Sequence, residues 1–174
     1  METKKSVDWK KLFLCISVTC ALAAVLLAYF ELRTPKVPKI EDMSSEEAAI
    51  VDDGLWGACQ GAELAYSSFM SMTNAGYDSD VEAYDFAKDT YSSLIIYLGD
   101  AQDVDCQYAP LYQGAAEDYI SQMAIVVDSA MDYINDSSAE NLSTYKRRGE
   151  GVSEKKQELE TRRGAFVDYF GLVE

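Results

Sequence analysis

Residues 44–76 read SSEEAAIVDDGLWGACQGAELAYSSFMSMTNAG, and the fold is decided here. Ser44 with Glu47 three places on has the form of a capping box, in which each residue satisfies a backbone amide of the other. Val51, Leu55, Ala58, Ala62, Ala65, Phe69 and Met72 follow at alternating steps of four and three, the spacing of one helical face. Trp56, Cys59, Tyr66 and Met70 widen that face, and Gly76 suits the backbone turn that closes the helix.

The pattern repeats downstream. Asp78-Ser79-Asp80-Val81-Glu82 opens a second helix whose stripe reads Val81, Tyr84, Tyr91, Ile95 and Leu98, backed by Phe86, Ala87 and Leu94, with a stop at Gly99-Asp100. A third follows the run Asp100 to Asp105, with Pro110 suited to its first turn. It turns Tyr108, Leu111, Tyr112, Ala115, Tyr119, Met123, Val126, Ala130 and Ile134 inward and breaks at Asn135-Asp136. Ser137 and Glu140 form a further capping-box pattern, starting a last helix over about 138–170. No strand pattern or repeat competes. The expected body is an all-α, antiparallel, up-down-up-down four-helix bundle over 44–174.

The last helix differs from the others. Tyr145, Val152, Leu159 and Phe166 recur every seven residues, but the alternate seam positions are Gly149, Lys156, Arg163 and Phe170. Half of this seam is polar or missing. It reads either as a solvated helix resting loosely on the body or as one whose residues Gly149, Lys156, Arg163 and Phe170 face a partner.

Upstream, residues 12–30 run for 19 positions without a charge, proline or glycine. A helix of that length covers roughly 28 Å, close to a bilayer core of about 30 Å. The run is too long for a signal-peptide core, and its small residues Ala21 and Ala23 sit in mid-run. It therefore reads as a single membrane anchor, with Trp9 and Tyr29 at the interfaces. Four lysines precede it and Arg33, Lys36 and Lys39 follow, which puts the tail 1–11 in the cytoplasm. A linker at 31–43 with Pro35 and Pro38 would then hold the bundle outside the cell membrane.

Charge excludes some partners. The 174 residues carry a net −15, and residues 43–145 hold one basic side chain, Lys88, against 19 acidic ones. Such a surface repels a phosphate backbone, so nucleic acid is not an expected partner. With no histidine in the chain, Ser-His-Asp, Cys-His and di-iron Glu-x-x-His chemistry have no basis. No phosphate-cradling glycine loop is present. The acidic runs at 78–82 and 100–105 lack the glycine and closing glutamate of a calcium loop and read as helix-start residues. An enzyme is not expected, nor a cofactor.

Cys59 and Cys106 are the only cysteines outside the apolar run, and in an oxidising compartment they are expected to form a disulfide. Asn135 and Asn141 begin glycosylation sequons. Taken together these features point to a membrane-anchored module that binds or scaffolds another protein. The competing reading is a domain that senses a small molecule or a cation and signals through a partner.

Overall fold

A computed structural model describes residues 40–172. Within them lie four α-helices and no strand, consistent with a four-helix bundle: α1 (Ser45–Ala75), α2 (Asp80–Asp103), α3 (Pro110–Asn135) and α4 (Ala139–Phe170). A single 3-10 turn at Ile40–Asp42 precedes α1, and Met43 behind it is buried. The end of the expected linker is thus part of the body.

Among the described residues no helix is long and apolar enough to cross a membrane. Each of the four is amphipathic and carries several carboxylates. The single-pass reading is corrected accordingly. Residues 12–30, on which it rested, lie outside the described residues, as does the tail 1–11. The integral span, the signal anchor and the placement of the bundle outside a cell membrane therefore do not stand.

Local chemistry sets the helix ends. Ser44 and Glu47 make both bonds of the capping box: the Glu47 amide donates to Ser44 Oγ at 3.2 Å, and the Ser44 amide to Glu47 Oε2 at 2.8 Å. The Ser44 amide and the Ser44 hydroxyl, which donates to the same Oε2, hold the Glu47 carboxyl below the usual carboxylate range. Gly76 closes α1 at φ 88°, a region that side chains disfavour. Ser79 caps α2 through the Glu82 amide, and Pro110 opens α3. The cap of α4 is Ser138, one place beyond the expected Ser137, because it is Ser138 Oγ that meets the Asn141 amide at 3.2 Å.

Two helix C-termini are closed from a distance. Gln113 Nε2, in the first turns of α3, donates to the carbonyls of Ala101, Gln102 and Val104 at the end of α2. Asn141 Nδ2, in α4, donates likewise to the Asp132 and Asp136 carbonyls at the end of α3. The last carbonyls of a helix lack amides of their own helix to accept from, although Asp132 also takes the Asp136 amide, and each carboxamide thus ties a helix to its successor. Helix α2 therefore runs through Gly99 to Asp103 instead of stopping at Asp100.

Residue pairings run in opposite directions along neighbouring helices. Asp118 meets Lys155 while Asp128 meets Arg148 between α3 and α4; Asp52 meets Arg163 while Glu63 meets Lys156 between α1 and α4. These pairs are antiparallel. Helix α3 lies at the centre of the packing, against α2, α4 and α1, whereas α1 and α4 approach least closely and α2 and α4 not at all. The core is filled by Leu55, Phe69, Leu94, Ile120, Met123 and Leu159, all nearly inaccessible.

The buried face of α2 is Ala83, Ala87, Thr90, Leu94 and Ala101. Val81 and Ile95, expected inside, are exposed, as are Met72 and Leu111. On α1, glycine makes room for side chains from α2 and the residue that follows it. A Cβ on Gly54 would stand 3.0 Å from Val104 Cγ2, and one on Gly61 only 2.4 Å from Tyr97 Cε1. Gly61→Ala is therefore expected to cost about 1–3 kcal/mol by overpacking, despite alanine's better helix propensity. Urea titration of Gly61→Ala and of Gly61→Ala/Tyr97→Leu checks it: the second change should restore most of the loss. Equal stability of Gly61→Ala and the parent would show that the ring simply swings aside.

Candidate functional site

The wide seam between α1 and α4 holds most of the buried polar chemistry. At its centre Asp52 receives Arg163 on both carboxylate oxygens, Nε to Oδ1 and Nη2 to Oδ2, each at 3.0 Å. Tyr112 donates its hydroxyl to the same Oδ1 at 2.8 Å. The Arg163 guanidinium also lies over the Trp56 ring, 4.2 Å from its centroid. Burial, followed by the Asp52 hydrogen bond and charge, pushes the Tyr112 phenol far up, so it stays a donor. One turn and more along the seam, Lys156 Nζ bonds Glu63 Oε1. Near the end of α4, Ser45 Oγ bonds the Phe170 carbonyl at 3.5 Å.

The four seam positions singled out as partner-facing are now placed. Lys156 and Arg163 turn onto α1 and are satisfied within the chain. Phe170 packs against Phe166 and Tyr169, with ring centroids 5.0 and 4.9 Å apart. Gly149 alone leaves its place open, since a Cβ there would meet nothing within 4 Å. The partner of this half-polar seam is α1 of the same chain.

Two openings result. At one end of the bundle, where α1 and α3 begin and α4 finishes, a groove of about 430 Å³ is lined mainly by Ile40, Tyr108, Leu111, Tyr112, Phe166 and Tyr169. Its edges are solvent-facing: Leu111 is 67 % exposed and Tyr169 54 %. The rings of Tyr112 and Phe166 stack at 5.3 Å in its floor. Arg162 is the one charged residue among those lining it. Sequence reasoning missed this groove; the exposed Leu111, read as core, was the available signal. The second opening is a cleft at Gly149 of about 440 Å³, between Tyr66 and Met70 of α1 and Tyr145 of α4.

Cys59 and Cys106 are free thiols, both buried, which corrects the expected disulfide. Cys59 sits in the core face of α1, and burial, then the Glu63 charge, pushes its thiol up to about 12. Cys106 lies in the α2–α3 connection and donates to the Ala109 carbonyl at 3.3 Å; burial raises its thiol too, partly offset by the Ala109 and Gln113 amides. Neither has thiolate character at neutral pH.

The acidic run at 78–82 serves the start of α2, with the Asp78 amide on Glu82 Oε2 at 3.1 Å. The run at 100–105 lies at the end of α2, not at a helix start. Among the described residues no group of three or more Cys, Asp or Glu is placed to hold a metal ion. No protein-family model matches the chain, and no curated protein or solved structure does either.

Proposed function

We propose that the bundle is a protein-binding module, and that its docking site is the apolar groove between the start of α3 and the end of α4. The observation that carries this reading is the open aromatic groove with Leu111 and Tyr169 standing at its edges. Tyrosine and arginine beside an apolar pocket are the chemistry of interaction hot spots. Residues 40–172 carry 26 acidic and 8 basic side chains, so the occupant is a basic amphipathic segment of another protein. Its apolar face enters the groove, and its lysines and arginines face the acidic surface of the bundle around it.

The probe is a fluorescent peptide with leucine and phenylalanine on one helical face and lysine on the other, alongside a scrambled peptide of equal composition. Anisotropy should show the patterned peptide binding, about tenfold weaker or worse with Leu111→Asp or Tyr169→Ala. Both residues are mostly exposed, so the fold is expected to persist, as circular dichroism would show. Equal binding of the scrambled peptide, or undiminished binding by both variants, would sink the proposal.

A further inference from the structure

Helix α4 carries no side chain at one seam position, and the fold turns that omission into a cleft. The opening at Gly149 measures about 440 Å³, within the roughly 300–1,000 Å³ typical of small-molecule sites. Val126 and Met70 line it from α3 and α1, and so do Tyr66 of α1 and Tyr145 of α4. The Tyr145 hydroxyl donates only to the Met70 thioether at 3.7 Å, a weak acceptor. Burial pushes the Tyr66 phenol up to about 12 and raises that of Tyr145, so both remain donors at neutral pH.

The rim supplies charge of both signs. Lys146 and Glu150 line the cleft four residues apart, both exposed, and among the described residues neither forms an ion pair. Every α4 cation from Arg148 to Arg163, by contrast, has a carboxylate partner. A monoanion would meet Lys146 but be repelled by Glu150 and by the acidic body. A monocation would meet the reverse at Lys146. A ligand carrying both charges suits both residues at once.

We propose that this cleft binds a small aromatic zwitterion of the free aromatic amino-acid class. Its ring lies between Tyr66 and Tyr145 against Met70 and Val126, its carboxylate meets Lys146 and the phenol donors, and its ammonium meets Glu150. The cleft lies at the opposite end of α4 from the groove, so this inference stands or falls separately from the docking reading.

Titration calorimetry of the whole chain with L-phenylalanine tests it, with 3-phenylpropionate lacking the ammonium and phenethylamine lacking the carboxylate. Phenylalanine should bind, and each truncated analogue should bind about tenfold more weakly. Lys146→Met and Glu150→Gln, both at exposed positions, should each weaken binding by about the same factor. Gly149→Leu, whose Cβ would meet nothing within 4 Å, fills the cleft and should abolish binding while the melting temperature holds or rises. No binding of phenylalanine up to its solubility limit would overturn the proposal. So would full binding by Gly149→Leu, or an analogue that binds as tightly as phenylalanine.

Discussion

Asp52→Ala should destabilise the bundle by about 3 kcal/mol, because it strips the carboxylate from an arginine that has little access to water. The Arg163 side chain is 17 % exposed and that of Asp52 10 %, so solvent cannot take over the role of either. The same substitution removes the acceptor of the Tyr112 hydroxyl, which belongs to a buried side chain. For a domain of this size the melting temperature should fall by roughly 10 °C. Replacing both charges, Asp52→Ala with Arg163→Met, should recover most of the loss, since an apolar pair leaves nothing to desolvate. Thermal melts of the three proteins decide it. A single variant melting within a degree of the parent, or a double variant no better than the single, would show the network to be dispensable.

The second large effect is expected at high pH. Tyr66 and Cys59 are pushed up to about 12 from ordinary values of 10.0 and 9.0, chiefly by burial, and Tyr112, Tyr119 and Tyr145 are raised as well. The sign follows from proton counts. Above their ordinary values the unfolded chain releases these protons while the folded chain keeps them, so stability falls as pH rises. The contribution is complete below pH about 9 and is lost as pH climbs towards 12. The helices should therefore melt cooperatively in that window, with tyrosinate absorbance rising in step with the loss of circular dichroism. Tyr119→Phe, which removes one buried phenol, should move the midpoint to higher pH. Ionisation of the buried tyrosines with the helices intact would contradict the packing described above.

Much of α1 was legible because its signals are local and apolar. Ser44 and Glu47 lie three apart, and Val51, Leu55, Ala58, Ala62 and Phe69 mark the buried face directly. Pro110 and Asn135 likewise mark the ends of α3. Helix α2 misled because its inner face is made of alanines and a threonine, while Val81 and Ile95 point to solvent. Apolar periodicity weights side-chain size, yet the Val104 and Tyr97 side chains seated against Gly54 and Gly61 select for its absence. The end of α2 was missed for another reason: its cap is Gln113, which belongs to the next helix.

The half-polar seam of α4 shows how far the candidate site could be read. Its incompleteness was visible in Gly149, Lys156 and Arg163, and so was the need for a partner. That the partner is Asp52, 111 residues away, is a tertiary fact that no spacing encodes. The groove was less visible still, because it forms where three helix ends and the turn at Ile40 converge.

The distribution of cations also bears on how the chain is made. Residues 40–138 contain 20 acidic side chains and one basic, Lys88, whereas α4 brings seven lysines and arginines. A polypeptide growing from its N-terminus therefore presents three mutually repelling acidic helices before their counter-charges are synthesised. A message truncated within α4 would release a product with its carboxylates uncompensated and the inner faces of α1 and α3 bare.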